Sequence, residues 1–518
     1  APVTYESITD QNKVSYHLSD GPLDQFIANN GGKTIYIPAG KYDVYERIFI
    51  HKPHTKIIGA GMWYTEIYFA SPSDKVETYP KRGIQTNQDN TLLDGLYITT
   101  ANDRRYYVLP DGQNGGVGKG IMGSFGSNST IRNVWIEHFE CGGWITGTNH
   151  LTVQQCRFRN QYADGINLAT GSRNSVVEYC SFRNNGDDDM ASWSSGKNMC
   201  ENITYRYCTA ENNWRASSVG FFGGSGHKAL NLLITDGMEA ALRATTDFPG
   251  QPFSEEGMHL YENISIYNCG AQEGSLGYKG DIISGKTAGA IHLTSYGHYD
   301  LLNVQFSNID IHQSRSDAIY LDSGKDRMIR NIHFKNINIQ GAGRHGISFN
   351  HAAGEASYCN MVFENVGEDS FGAIPEGFEF TKDEACPEKI SNYTRYVDPT
   401  IGSGGHGHVF VGASVPYGAV QVGPSNFYKG WDWCSGYNYQ DSVIIGFPQL
   451  HLSGTGIGDL GDVLLMPYMG DVKFDKGKET ERYSGYASRF SHQNETVQPG
   501  YYRVKLDDHD IDVELTAT

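Results

Sequence analysis

The sequence predicts an all-β protein, a right-handed parallel β-helix followed by a partial β-sandwich. Two observations predict the first part: a repeat of strand-like segments, and corners rich in Asn, Gly and Ser between them. Leu151-Thr-Val-Gln-Gln-Cys156-Arg-Phe-Arg-Asn160 leads to Ala163-Asp-Gly-Ile-Asn167, and Ser175-Val-Val-Glu-Tyr-Cys180-Ser-Phe-Arg-Asn184 leads to Gly186-Asp-Asp-Asp-Met-Ala191. The two cysteines are 24 residues apart, as are Asp164 and Asp188. A period in this range is that of one solenoid coil, in which each repeat buries its apolar face against its neighbours.

The strands follow in order along the chain. Further copies begin at Ser129-Thr-Ile-Arg-Asn-Val-Trp-Ile136, Ile203-Thr-Tyr-Arg-Tyr-Cys208, Ile264-Ser-Ile-Tyr-Asn-Cys269, Leu301-Leu-Asn-Val-Gln-Phe306 and Ile329-Arg-Asn-Ile-His-Phe334. A second short strand follows in most coils, as in Gly143-Trp-Ile-Thr146, Gly289-Ala-Ile-His-Leu293, Asp317-Ala-Ile-Tyr-Leu321 and His345-Gly-Ile-Ser-Phe349. Asn, Gly and Ser tolerate the left-handed or side-chain-bonded corners that a coil turns several times. No sustained 3.6-residue apolar period competes, which excludes a helical solenoid. The coils run from about residue 30 in a β-helix placed at 1–380, a linker at 381–395 separates it from the next domain, and 396–518 forms a partial β-sandwich.

Composition narrows the class. With 62 glycines, 17 prolines and 12% aromatics in 518 residues, the chain is ordered and turn-rich. No apolar run is long enough to span a membrane, and Ala1-Pro-Val lacks the basic and apolar regions of a signal peptide, the start expected of a mature secreted protein. Cys156, Cys180, Cys208 and Cys269, four of nine cysteines, share one repeat position and are expected as a buried stack rather than disulfides or a metal site. A formal charge of −18 repels polyanions. It excludes nucleic acid as partner, disfavours pectin-like polyuronates and favours a neutral polysaccharide. Oligomeric state is not set by these features.

Asp164, Asp187 and Asp188 are the candidate catalytic residues. Adjacent strands lie about 4.8 Å apart, so carboxylates at one place on neighbouring coils repel, and some must hold their protons above the usual range. General acid–base chemistry needs such a set, with one member that keeps its proton beside one that gives it up. Asp188, between the other two, is expected to be the acid, with Asp187 and Asp164 ordering the water. Trp193 and Trp214 are candidates for stacking on sugar rings. Asp189 and His227 are further substrate-binding candidates.

The segments Gly120-Ile-Met-Gly-Ser124, Asn128 to His138, Ala163-Asp-Gly-Ile-Asn167 and Asn185-Gly-Asp-Asp188 to Ser194 resemble glycoside hydrolase family 87, the bacterial α-1,3-glucanases and mycodextranases. The resemblance implies an inverting, secreted or cell-surface bacterial enzyme acting on α-1,3- or mixed α-1,3/α-1,4-glucan, with no cofactor required at the β-helix site. Asp189 departs from it, standing where the family is expected to carry glycine or another small residue. Polygalacturonases are the weaker alternative: Ser225-Gly226-His227 echoes their Gly-His-Gly, but no Arg-x-Lys follows.

Beyond residue 395, Tyr396-Val-Asp-Pro-Thr-Ile-Gly-Ser-Gly-Gly-His-Gly-His408, Gly430-Trp-Asp-Trp-Cys-Ser-Gly-Tyr-Asn-Tyr439 and His451 to Asp459 resemble the start of glycoside hydrolase family 92, the calcium-dependent α-mannosidases. That resemblance implies sugar contacts at Trp431, Trp433 and His451, and makes calcium a possible ligand. The chain stops at Thr518, within the sandwich, so mannosidase activity is not expected, and a non-catalytic carbohydrate-binding part of a larger bifunctional glucanase/α-mannosidase is the remaining alternative.

Overall fold

The computed structural model describes residues 2–70, 82–102, 105–108, 114–116, 118–195, 198–247, 252–272, 274–277, 281–383, 397–414, 420–451 and 463–517. Two compact units divide the chain, Ala1–Glu388 and Lys389–Thr518. Most of the expected linker, residues 384–395, lies outside the described residues.

The first unit is a parallel β-helix. One face is an eleven-stranded sheet, with one strand from each coil between Ile48–Ile50 and Ile347–Asn350, every pairing parallel. The other faces belong to a larger sheet, in which Thr152 pairs with Val176 and Phe158 with Phe182, the 24-residue repeat made into register. Corner asparagines adopt left-handed backbone, with φ of 53° at Asn160 and 57° at Asn184. Their amides also stack coil on coil, Asn184 Nδ2 donating to Asn160 Oδ1 at 3.0 Å. A short polar side chain that bonds locally makes this conformation affordable for a residue other than glycine.

Apolar side chains fill the interior in rows. Phe158 and Phe182 stack at 5.0 Å with their rings 5° from parallel, and Tyr261, Phe306 and Phe334 form a second pile. All four cysteines are buried and free, but only Cys156, Cys180 and Cys208 share one place on successive coils; the register continues that row through Leu232 and Ile264 and puts Cys269 in the corner, beside Gly237. The helix Leu23–Asn29 buries Leu23 and Ile27 against the first coils. Its 7 residues are too short to leave a helical period legible in the sequence.

The second unit has a separate core of Val411, Tyr437, Ile444, Phe447, Phe490, Tyr502, Val504, Leu506 and Val513. Antiparallel strands Glu495–Gln498, Tyr501–Leu506 and Ile511–Thr516 form its largest sheet. The Glu495 carboxylate accepts from the hydroxyls of Tyr437 and Tyr502 at 3.0 and 2.8 Å, which satisfies two buried phenols at once.

Candidate active site

Strands Ile166–Ala169 and Met190–Trp193 pair in parallel, Ile166 with Met190. Asp164 and Asp188, two residues upstream of that pair, therefore occupy one place on adjacent coils, where the Gly165 amide donates to the Asp188 carbonyl at 2.9 Å. Asp187 joins them, and carboxylate oxygens of all three lie within 4.8 Å of one another. Two glycines permit this turn geometry. A Cβ on Gly165 would lie 2.5 Å from the Asp189 carbonyl, and one on Gly186 would lie 1.9 Å from the Trp214 ring.

The trio lies in a cleft of about 360 Å³ on the eleven-stranded face, lined also by Trp144, Asn167, Trp193 and Phe222. Asp164 and Asp188 are buried, whereas 18% of the Asp187 side chain is exposed. Asp187 accepts from Arg105 Nη2 at 2.8 Å and from Arg215 Nη1. Two guanidiniums on one carboxylate give it charge-assisted hydrogen bonds. Asp188 Oδ1 accepts from the Ser217 amide at 3.0 Å and from the Ser217 hydroxyl, and Asp164 accepts from Asn167 Nδ2 at 3.0 Å.

Burial, followed by the charges of Asp187 and Asp188, pushes the Asp164 carboxyl well above the usual carboxylate range. Burial and the Asp187 charge do the same to Asp188, against the pull of Ser217, Arg243 and Arg215. The trio thus holds a buried pair pushed toward its protonated forms beside a carboxylate bonded by two arginines, an unequal set of the kind acid–base chemistry uses. The same three oxygens are close enough to share a cation, as are the donor atoms of His406, His408 and Asp432 in the second unit. In the cleft Arg105 and Arg215 already supply positive charge.

Residues 12–374 match the family described as the alpha-1,3-glucanase catalytic domain D2. The chain belongs to this α-1,3-glucanase family. Among solved structures it is similar to the Agl-KA catalytic domain, 30% identical with a TM-score of 0.62 over 74% of this chain and 70% of that one. It is also similar to the catalytic domain of a GH87 α-1,3-glucanase solved with nigerose, 25% identical with a TM-score of 0.61 over 74% and 69%. Residues 396–518 match the glycosyl hydrolase family 92 N-terminal domain. An uncharacterized secreted glycosidase of Arthroderma benhamiae is 31% identical over 133 residues, 24% of this chain, so the match spans only 16% of that relative.

In this α-1,3-glucanase-family cleft Trp193 is a wall, edge-on to Trp144 at 5.7 Å. Three other sequence-predicted contacts do not reach it. Asp189 is fully buried: it sits in the corner just before strand Met190–Trp193, among Asn185, Asn213 and Ser218, while Asp188 beside it lines the cleft. Trp214 packs against Gly186, behind the turn that carries the aspartates. His227 is enclosed in the solenoid, where its ring meets the Ser192 hydroxyl and the Ile203 amide, and burial with His259 beside it holds it well below the usual imidazole range.

In the second unit Trp431 is 62% exposed and open to a ligand, edge-on to His408. Trp433 instead donates its indole N–H to Asp441 at 2.6 Å, and His451 is buried against the Ser435 carbonyl and the Phe410 ring, so both are tied into the fold. Sequence reasoning missed Arg105, Lys119, Glu140 and Arg215. Arg215 alone had a local signal, one coil after Asp187 in Asn-Asn-Trp-Arg215. Lys119 and Glu140, paired at 2.9 Å, lie on the two coils just before Asp164, where Lys119 pairs with Cys141 and Cys141 stands beside Asp164, but neither repeats the aspartate of the later coils.

Proposed function

We propose that the first unit hydrolyses α-1,3-glucan outside the cell, by inversion, with Asp188 as general acid and with Asp187 and Asp164 holding the attacking water. One observation carries this reading: three carboxylates converge in an aromatic-walled cleft, two of them buried and one bonded by two arginines. The relatives support it. Three GH87 α-1,3-glucanase complexes with nigerose or tetrasaccharides carry a single aspartate replaced by alanine, at positions separated by 23 and 1 residues, the separations of Asp164, Asp187 and Asp188. A neutral sugar also suits the charge of the cleft. Lys119 is paired with Glu140, and Arg105 and Arg215 are spent on Asp187, so little cationic surface is left for a polyuronate.

The acid belongs to the buried pair, whose carboxyls are pushed above the usual range, rather than to Asp187, which Arg105 and Arg215 bond. Protonated Asp188 gives its proton to the leaving glycosidic oxygen, and Asp187 takes one from water on the opposite face. Retention is a second reading, favoured by one distance. The oxygens of the trio lie within 4.8 Å of one another, nearer to the roughly 5–5.5 Å between carboxyl groups of retaining enzymes than to the roughly 6.5–9.5 Å of inverting ones.

Proton NMR of the first product anomer from α-1,3-glucan separates the two, with mixed α-1,3/α-1,4-glucan and polygalacturonate as controls. The inverted anomer is expected, and a retained one sinks the water-activation scheme. Asp188→Asn is expected to lower kcat on α-1,3-glucan by about 10²–10⁴-fold, the usual share of general acid catalysis. It should keep most activity on an α-glucosyl fluoride substrate, whose leaving group needs no proton. Equal loss on both substrates would assign the acid elsewhere in the trio.

A further inference from the structure

Asp189 breaks a row of small residues. The register places Gly165 beside Asp189, with Gly142 on the preceding coil and Ser218, Ala241, Ala290 and Ala318 on those that follow. The row faces the solenoid interior, where space is short and an ionised carboxylate is costly. Asp189 is nevertheless 0% exposed there.

One of its oxygens is hydrogen-bonded and the other is not. Oδ1 accepts from Asn185 Nδ2 at 2.7 Å. Oδ2 is buried without a partner in this geometry, and so are Asn213 Oδ1 and Ser218 Oγ; the polar groups of Asn185, Asn213 and Ser218 draw the carboxyl down, and burial outweighs them. The Ser218 hydroxyl can turn to donate to a bare carboxylate, but Asn213 Oδ1 then stays without a donor, whereas an Oδ2–H donating to Asn213 Oδ1 satisfies both acceptors. Asn213 then passes the connection on, its Nδ2 donating to the backbone carbonyl of Asp187. Asn185 anchors the other end by accepting from the Gln161 amide at 3.1 Å.

We propose that Asp189 is a positioning residue, a neutral carboxylic acid that bridges Asn185 to Asn213 and so fixes the turn presenting Asp187 and Asp188 to the cleft. The proposal rests on the catalytic role given above to the aspartate trio. Burial raises the Asp189 carboxyl to about 8, in line with a retained proton. The titratable groups facing it are Asp164 and the Cys269 thiol, which burial likewise pushes toward their neutral forms. Asp189 therefore adds a third aspartate to Gly-Asp-Asp-Asp without adding a charge to the turn.

The test compares Asp189→Asn, Asp189→Ala and Asp189→Gly in the full chain on α-1,3-glucan. Asparagine keeps one acceptor for Asn185 and supplies a donor for Asn213, so kcat within about threefold of wild type is expected, with the pH profile unchanged. Alanine and glycine remove the bridge between the two asparagines, and loosening the turn is expected to lower kcat at least about tenfold while KM moves less than about twofold. An Asn variant as impaired as the Ala variant, or a Gly variant with full kcat, overturns the proposal. The difference infrared spectrum of wild type against Asp189→Asn at pH 6 reads the proton without any turnover. It is expected to show the carbonyl stretch of a protonated acid, and its absence also overturns the proposal. Activity surviving in both Asp187→Asn and Asp188→Asn would remove the catalytic premise and the positioning role with it, while the infrared band still decides the protonation state.

Discussion

Arg215 performs two tasks through one guanidinium. It is paired with Asp187, and its charge pulls down the proton affinity of Asp188. The second effect has a definite sign in the pH profile. Above the pKa of the acid in the enzyme–substrate complex the proton is lost, and kcat falls as pH rises through that value. Replacing Arg215 with Ala removes a positive charge near Asp188, so its pKa rises further and the alkaline limb of kcat moves to higher pH, by about one unit for a charge at this range. The measurement is kcat against pH for both forms at saturating substrate. An alkaline limb that stays in place would show that Asp188 is not the group titrating there.

At the scale of the coil, the corner asparagines tie sequence to fold most directly. Asn184 has a φ of 57° and donates its amide to Asn160. Alanine in that backbone conformation costs about 1–2 kcal/mol, and the lost ladder bond about 1 kcal/mol more. Glycine takes the conformation freely and loses only the bond. Urea denaturation should therefore rank wild type above Asn184→Gly and Asn184→Gly above Asn184→Ala, and equal stability of the two variants would contradict the corner argument. These corners, the stacked cysteines and the in-register Asp164 and Asp188 were legible because a solenoid writes its three-dimensional neighbours into the sequence at a fixed period. What escaped changes residue type at a repeated place or lies in a corner. Glu140 stands one coil before Ala163 and two before Asp187 at the same place, yet shares no residue type with them, and Asp189 and His227 occupy corners just before strands Met190–Trp193 and Lys228–Thr235, where the strand period does not say which way a side chain points. Aromatic identity misled for a related reason, since Trp193 and Trp214 look alike in sequence, and only packing against Gly186 turns the second away from the cleft.

The two units have no core residue in common, with one cluster running from Tyr16 to Phe378 and the other from Val411 to Val513. Cooperativity follows the core, so each cluster is expected to melt as its own transition. The proposed glucan site belongs entirely to the first unit, and ligand binding stabilises only the state that contains the site. Nigero-oligosaccharide at 100 times its Kd should therefore stabilise the transition of the first unit by about 2.7 kcal/mol and leave the other where it was. Differential scanning calorimetry of the Asp188→Asn protein measures this without turnover of the ligand. Assignment of the transitions comes from the same scan on residues 1–388, which should reproduce the ligand-sensitive peak and lack the other. A single transition that shifts as a whole would mean that the family 92-like sandwich and the β-helix are energetically one body, and the sandwich would then belong to the stability of the glucanase rather than stand as an independent module.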